Sequence, residues 1–169
     1  MMKLDILTFP NKFLHQPTKP VTDIDEILQN LIDDMAETMY EAPGVGLAAI
    51  QVGSDKSVLV YDEFPGEIKR QYGVVINPEV IEMDGRVISE NEGCLSVPDF
   101  RSDVKRAERI LVEGVNREGN PIRLEADGFL AIVLQHEIDH LNGTLFIDRI
   151  SALKREMYKR KIRKMLREK

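Results

Sequence analysis

The sequence is poor in the residues that stabilise small secreted proteins and in the apolar segments that cross membranes. Its 169 residues include one Cys and no Trp, and aromatic residues make up 6% of the chain. One Cys excludes an internal disulfide, which favours a reducing compartment. The longest apolar run, residues 129–134, has six residues, whereas a membrane-spanning helix needs about 20. The first residues contain no apolar signal segment, so we expect a cytoplasmic protein without membrane contact.

Charge is distributed unevenly along the chain. Lys and Arg number 23 against 29 Asp and Glu, which gives a formal net charge of −6. Residues 151–169 carry nine Lys or Arg and two Glu, a net +7, so residues 1–150 carry −13. An acidic body repels nucleic acid. We therefore expect no DNA binding and confine any contact with an RNA-rich partner to the basic tail, which a solvated helix end explains equally well.

Apolar spacing predicts one helix at each side of a strand-rich middle. Seven apolar residues between positions 22 and 41 recur every three or four residues, which predicts an amphipathic helix capped by Thr22 or Asp23. Asp127 is a candidate cap for a second helix over 128–141. Its first half is apolar all round, so we expect it to be buried. Ser151 opens a basic C-terminal helix.

Short strands are predicted between the first two helices. They cover residues 57–61, 74–77, 79–83, 86–89, 109–115 and 121–125. Turn residues at 84–85 and 118–120 separate several of them. Consecutive strands joined by tight turns predict mostly antiparallel sheets.

The order of these elements predicts an α+β fold. We expect mostly antiparallel sheets around a buried central helix, with the N-terminal and C-terminal helices beside them. Residues 1–150 are predicted to form a single catalytic domain. Residues 151–169 are predicted to be a basic C-terminal helix of the same domain.

The strongest chemical motif is His136-Glu137-Ile138-Asp139-His140, at the polar end of the predicted buried helix. Residues four apart share one helix face, so both imidazoles can bind one metal ion with Glu137 beside a coordinated water. Two ordinary helix histidines are the competing interpretation. We favour the metal site because an ion in an apolar setting requires such neighbours.

A catalytic site of this kind needs a third protein ligand and one open position for water. The metzincin pattern is excluded, because the residue six positions after the second His is Phe146. Glu156 is available downstream but lies among the basic residues of the tail, and His15 lies in an N-terminal loop. Cys94 is the better choice, because Gly93 allows close backbone approach and ligation gives the single thiol a purpose.

A site built from one thiolate and two imidazoles, with water as fourth ligand, is tetrahedral and open. The metal lowers the pKa of its water from about 16 towards about 7 and so supplies hydroxide near neutral pH. Ferrous iron, zinc, cobalt and nickel all suit such ligands. The residues alone do not select one of them.

Three segments resemble the signature motifs of the peptide deformylases, in the order that the family has them. They are residues 44–51 (GVGLAAIQ), 92–96 (EGCLS) and 135–140 (QHEIDH). The resemblance covers nearly the whole chain. It implies a hydrolase that removes the N-formyl group from the N-terminal formylmethionine of newly synthesised polypeptides and releases formate. One Fe²⁺ is the metal implied, with Zn²⁺, Ni²⁺ or Co²⁺ as substitutes.

The resemblance also implies roles for residues at the matching positions. The metal ligands would be Cys94, His136 and His140. Metal-bound hydroxide would attack the formyl carbon, with Glu137 as general base and then general acid. The side-chain amide of Gln51 and the backbone N–H of Leu95 would stabilise the oxyanion, each by about 3 kcal/mol.

Substrate contacts and supporting residues are implied in the same way. The peptide would bind as an added strand through the backbone of Val45, Gly46 and Gly93. The methionine pocket would be walled by Phe129, Ile132 and Val133, with Arg101 at its rim; core packing is the alternative role for these side chains. Glu92 and Arg106 resemble a family pair that steadies the Cys loop, although a surface ion pair is an equal alternative, and Asp139 would support the site from behind.

Two partners are implied: N-formylmethionyl nascent peptides and the ribosome. In family members with a basic C-terminal helix, that helix docks near the exit of the nascent chain, and residues 151–169 fit this type of tail. Two other functions remain open. A general metallopeptidase would cleave internal peptide bonds with the same motif. A ribosome-associated module with a structural metal would need a fourth protein ligand and would leave Glu137 without a purpose.

Overall fold

The computed structural model describes residues 2–169 and has the α+β architecture expected from the sequence. Within this range the helices are α1 (Glu26–Glu41), α2 (Gly128–Leu141) and α3 (Ala152–Arg167). The strands are β1 (Gly46–Ala48), β2 (Val58–Asp62), β3 (Tyr72–Asp84), β4 (Val87–Cys94), β5 (Val97–Arg106), β6 (Arg109–Val115) and β7 (Pro121–Asp127). Short 3₁₀ turns cover Lys12–His15, Ala49–Val52 and Phe146–Arg149.

The strands form two antiparallel sheets, as expected from their short connections. In the described chain, the larger sheet has the strand order β1-β2-β3-β6-β7, and β4 and β5 pair separately as a hairpin. Strand β1 lies at the edge of the larger sheet, where Leu47 pairs with Val60 of β2. This edge and the hairpin border the candidate site.

The larger sheet lies between two helices. Along β2, the side chains of Val58 and Val60 pack in the cluster that contains α1, and those of Leu59 and Tyr61 pack in the cluster that contains α2. Alternate residues of a strand point to opposite faces of the sheet. Burial of both faces explains why β2 is apolar along most of its length.

Helix α2 is central and has the predicted bounds, 128–141. Its buried residues include apolar side chains of its first turns and the polar side chains of Glu137, Asp139 and His140. The expectation that its first half is buried all round is wrong at Phe129, whose side chain is 54% exposed. Phe129 lies on the face that borders a cavity rather than the core.

The predicted helix caps are partly wrong. Helix α1 begins at Glu26, and Asp25 is its cap, because the Asp25 side chain accepts a 2.9 Å hydrogen bond from the backbone N–H of Leu28. The predicted caps Thr22 and Asp23 lie before this helix. Asp127 precedes α2 without a side-chain capping bond to any described residue. Ser151 does cap α3, and its side chain accepts a hydrogen bond from the backbone N–H of Lys154.

The strand predictions differ from the structure at β3, at β4 and at two strands that were not predicted, β1 and β5. The predicted strands 74–77 and 79–83 are one continuous strand, β3, with a bulge where Asn77 has a φ of 53°. Strand β5 was not expected, and β4 continues to Cys94 instead of ending at Ser89. The β4–β5 hairpin therefore carries Cys94 at its end.

Helix α3 packs on the body through Tyr158 and Ile162, which are buried together with residues of β5 and the Phe146–Arg149 turn. The Lys161 side chain also donates to the backbone carbonyl of Asp99, at 3.2 Å. No helix within residues 2–169 is both long enough and apolar enough to cross a membrane.

Candidate active site

Helix α2 and the β4–β5 hairpin bring three metal-ligand side chains together. Cys94 Sγ lies 3.2 Å from His140 Nε2, which lies 3.2 Å from His136 Nε2. The three ligand atoms all lie within 4.8 Å of one another. The i, i+4 spacing on α2 and the end of β4 together produce this convergence.

The two other candidate ligands considered from the sequence lie elsewhere. His15 Nε2 is 3.7 Å from the Asp148 carboxylate. Glu156 lies on α3 and accepts a 2.7 Å hydrogen bond from Arg163. Among the described residues, the cluster of Cys94 and the two α2 histidines is the one with metal-binding geometry.

The donor set fits a divalent transition metal. His136 Nδ1 lies 2.7 Å from the Glu92 carboxylate and donates to it, so Nε2 is the nitrogen directed at Cys94 and His140. Two imidazole nitrogens and a sulfur directed at one point need a proton or a metal ion between them. Imidazole and thiolate ligands suit iron, zinc, cobalt and nickel.

The two histidines differ in protonation. Burial and the nearby His136 lower the pKa of His140 well below its usual value, so its imidazole is neutral and able to ligate. Burial would also lower the pKa of His136, but the charge of Cys94 and the hydrogen bonds with Cys94 and Glu92 raise it well above its usual value. A metal ion bound to Nε2 would displace that proton.

A buried ion-pair cluster supports the His136 ring from behind. Arg106 donates to both carboxylate oxygens of Glu92 and, at 2.7 Å, to Asp139. Burial would raise the pKa of Glu92, but the hydrogen bonds from His136 and Arg106 lower it to about 2. Glu92 is therefore ionised near neutral pH and can accept the hydrogen bond from His136 Nδ1. The Glu92–Arg106 pair expected from the sequence exists, and it is buried rather than on the surface.

Glu137 is buried next to the ligands and faces the cavity. Its Oε1 lies 3.8 Å from His136 Nε2, and no described residue hydrogen-bonds to its buried Oε2. Burial raises the pKa of Glu137 to about 7, and the nearby His136 opposes this rise. A carboxyl group with a pKa near neutrality can both accept and donate a proton. A Cβ atom at Gly46 would lie 2.9 Å from Glu137 Cγ, so only glycine leaves this carboxylate in place.

Gln51 is held with its amide nitrogen towards the site. The backbone N–H of Ala48 donates to Gln51 Oε1 at 2.9 Å, which fixes the orientation of the amide. Gln51 Nε2 then lies 3.1 Å from Ser96 Oγ and 3.8 Å from Cys94 Sγ. This is the orientation that an oxyanion donor requires.

A cavity of about 460 Å³ opens beside the three ligands. Residues predicted to contact the substrate all line it: Val45, Gly46, Gly93, Arg101, Phe129, Ile132 and Val133. Gln51, Leu95 and Glu137 line it as well. The volume is in the range of small-ligand sites.

Three supporting residues had no predicted role. Ser96 Oγ accepts from Gln51, although Ser96 was visible only as part of the EGCLS motif. Gln135 binds the backbone N–H and carbonyl of Ala107, which ties α2 to the turn after β5. Arg149 binds Asp139 through two hydrogen bonds. These contacts join distant segments and leave no periodic signal in the sequence.

Comparisons with known proteins agree with one another. A family model described as polypeptide deformylase matches residues 3–156. A relative named peptide deformylase, from Desulfosudis oleivorans, is 57% identical over 168 residues, which cover 99% of this chain and 97% of the relative.

Solved structures show the same similarity. The crystal structure of a peptide deformylase from Legionella pneumophila has a TM-score of 0.89 at 45% identity and covers 98% of this chain and 96% of that one. The peptide deformylase from Ehrlichia chaffeensis in complex with actinonin has a TM-score of 0.89 at 40% identity and covers 98% of both chains. The similarity extends over all three motif segments of the candidate site.

Proposed function

Because the chain belongs to the polypeptide deformylase family, it is a hydrolase that removes the N-formyl group from nascent peptides, and we propose that its reaction takes place at Cys94, His136 and His140. The observation that carries this assignment is the convergence of their ligand atoms within 4.8 Å. The buried carboxylate of Glu137, which has an oxygen without a hydrogen-bond partner among the described residues, borders the same cavity.

One Fe²⁺ ion is the proposed metal, with Zn²⁺, Ni²⁺ or Co²⁺ as substitutes. When bound, the ion lowers the pKa of a coordinated water and provides a nucleophile near neutral pH. The Cys94 sulfur contributes one negative charge to the site, and Glu92 holds the His136 ring through Nδ1.

Glu137 is the proposed general base and acid. Its Oε2 accepts a proton from the attacking water and later delivers it to the nitrogen of the departing peptide. Without this proton the amine is a poor leaving group. The pKa of about 7 that burial gives Glu137 suits both steps.

Gln51 and Leu95 are the proposed oxyanion donors. The Ala48 N–H holds the Gln51 amide in one orientation, so its N–H group is already directed at the site before the reaction begins. Leu95 lies in the turn between β4 and β5, directly after Cys94. Donors fixed in advance stabilise the oxyanion without reorganisation.

The peptide is proposed to bind along the edge of β1. Val45 and Gly46, at the start of β1, and Gly93, near the end of β4, all line the cavity. Backbone bonding is independent of sequence, which suits an enzyme that processes many nascent chains. The methionine pocket is assigned to Phe129, Ile132 and Val133, with Arg101 at the rim.

Formate release from formyl-Met-Ala-Ser tests this function under anaerobic conditions, with iron-loaded or nickel-loaded protein. We expect turnover by the loaded protein and loss of both metal and turnover in Cys94→Ala. Absence of turnover with metal bound would contradict the proposal. Cleavage of internal bonds in unformylated peptides would instead indicate a general metallopeptidase.

The choice of iron has a separate test. A ferrous site with a thiolate ligand is sensitive to oxidation. We expect aerobic storage to inactivate the iron form and to leave the nickel form active. Equal survival of both forms in air would argue against iron ligation by Cys94.

The ribosome is the proposed cellular partner, contacted through the basic residues 151–169. Most of the cationic side chains of α3 are exposed, and they are the part of an otherwise acidic chain that attracts RNA. Nascent peptides leave the ribosome in the cytoplasm, so we assign the protein to that compartment.

A further inference from the structure

The side chain of Arg149 is joined to the metal-ligand helix from outside. Arg149 ends the Phe146–Arg149 turn, between α2 and α3. Its Nε donates to Asp139 Oδ2 at 2.6 Å, and its Nη2 donates to Asp139 Oδ1 at 2.7 Å. A guanidinium bound to both oxygens of a carboxylate fixes their orientation as well as their charge.

Asp139 connects this contact to the ligand His136. Asp139 Oδ2 also accepts from Arg106, and Arg106 binds Glu92, whose carboxylate accepts from His136 Nδ1. Each link is a hydrogen bond between charged groups or to the ligand imidazole itself. The path runs from the protein surface to the ring that ligates the metal.

The two carboxylates of this path are matched by two guanidinium groups, one of which belongs to Arg149. Glu92 and Asp139 contribute two negative charges, and the buried Arg106 contributes one positive charge. Arg149 contributes the second positive charge from a side chain that is 47% exposed. Without it, Arg106 would be shared between two carboxylates with an uncompensated charge in a buried position.

The same turn also supports the face of the His136 ring. Phe146 is buried, and its ring lies nearly parallel to that of His136, with an angle of 25° and 6.3 Å between centroids. The turn thus contacts His136 through one aromatic face and reaches Nδ1 through the ion-pair path. These are independent restraints on one imidazole.

We propose that Arg149 is a positioning residue of the metal site, which fixes the His136 imidazole through Asp139, Arg106 and Glu92. The inference rests on the proposed function, in which His136 is a metal ligand. Arg149 does not touch substrate or metal. It sets metal affinity and turnover by keeping the outer hydrogen bonds of His136 in one arrangement.

The test compares Arg149→Ala and Arg149→Lys with wild type, all in the Co²⁺ form. Cobalt affinity is measured by competition with a chromophoric chelator, ligand geometry by the visible absorption bands of Co²⁺, and turnover with formyl-Met-Ala-Ser. In Arg149→Ala we expect about tenfold weaker cobalt binding, shifted absorption bands and a lower kcat, with KM within about twofold of wild type. Arg149→Lys keeps the positive charge but loses the planar guanidinium that binds both carboxylate oxygens. Its cobalt affinity and kcat should lie between those of Arg149→Ala and wild type.

Arg109→Ala is the matched control. The Arg109 side chain is 53% exposed and donates to Asp84 at 2.8 Å, outside the ion-pair path that leads to His136. Its removal should leave cobalt affinity, absorption bands and kcat unchanged. Equal effects of Arg109→Ala and Arg149→Ala would overturn the proposal, because loss of any half-exposed arginine would then suffice.

A double-mutant cycle tests the path. Arg149→Ala introduced into Asp139→Asn should change cobalt affinity by less than about twofold, because the link is already weakened. Additive losses would overturn a path through Asp139. If Arg149→Ala does not fold by circular dichroism, Arg149→Lys decides: wild-type affinity and bands in that variant would overturn the proposal, and weaker affinity would support it.

The outcomes for this inference and for the proposed function are distinct. A wild-type protein that binds no Co²⁺ and releases no formate contradicts the proposed function. A wild-type protein that does both, alongside a folded Arg149→Ala that equals it in affinity, bands and kcat, contradicts only the role of Arg149.

Discussion

Helices α2 and α3 have similar lengths, 14 and 16 residues, but different means of attachment. Helix α2 is packed between strands and turns, with both apolar and polar side chains buried. Helix α3 buries Tyr158 and Ile162 in the described structure and exposes most of its charged residues. Helix α2 therefore carries the reactive side chains within the core. Helix α3 is attached by two buried residues and keeps its charges at the surface.

The largest expected effect lies on α2, in the change Glu137→Gln. The amide cannot accept and return a proton, so kcat should fall about 10²- to 10⁴-fold, while bound metal remains at the wild-type level. Steady-state kinetics with metal analysis measures both. A kcat of Glu137→Gln within threefold of wild type would contradict the role of Glu137 as general base and acid.

The same chemical change on α3 is the control for that prediction. Glu156→Gln should leave both metal content and kcat unchanged, because Glu156 is half exposed and binds Arg163. Metal loss in this variant would instead indicate that Glu156 is a metal ligand, and the two helices would then both contribute to the metal site.

The next effect concerns Gln51, which lies outside both helices but faces the ligands of α2. Gln51→Ala removes a fixed oxyanion donor, so kcat should fall about 10²- to 10³-fold with metal retained. Ser96→Ala removes only the partner of the Gln51 amide and should have a smaller effect. A larger loss of kcat in Ser96→Ala would contradict the proposed division of roles.

The attachment of α3 is tested by Tyr158→Ala. This residue is buried, and its ring stacks on Phe100 with 4.8 Å between centroids. Removal of a large buried ring should lower the free energy of unfolding by about 3 kcal/mol, measured by urea denaturation. At low temperature, kcat/KM of the folded protein should remain within about threefold of wild type. A selective fall in kcat would show that α3 takes part in catalysis and would contradict the difference drawn between the two helices.

The smallest effect concerns the exposed charges of α3. The double variant Arg160→Glu with Lys164→Glu should weaken cosedimentation with ribosomes about tenfold at low salt, since surface cations dominate contacts with phosphates. Hydrolysis of formyl-Met-Ala-Ser should be unchanged. Arg123→Glu on β7, whose side chain is 62% exposed, serves as the control. Equal weakening in both variants would indicate a nonspecific charge effect.

The elements predicted well are those with strong periodicity or punctuation. Helix α2 follows Asp127 and ends before Asn142-Gly143, so its bounds were predictable. Strand β5 was not predictable, because half of its residues are exposed and it contains Pro98 and several charges. A strand in a separate hairpin has neither the continuous apolar run of a buried strand nor a clean alternation.

The metal ligands were predictable in unequal degrees. The spacing of His136 and His140 indicates a shared helix face, whereas Cys94 depended on the shortage of other ligands and on the family resemblance. The role proposed for Arg149 had no signal, since its contact with Asp139 depends on the path of the Phe146–Arg149 turn. A sequence pattern identifies residues that share one helix or strand. Contacts between different elements can be identified only from the three-dimensional structure.

Gly46 limits the mutations by which this protein could become resistant to an inhibitor. A side chain there would meet Glu137 Cγ at 2.9 Å and Val133 Cγ1 at 3.1 Å. A compound that hydrogen-bonds to the backbone at Gly46 therefore contacts a surface that mutation cannot enlarge without moving the carboxylate needed for turnover. Resistance arising within the target would have to come from other walls of the cavity.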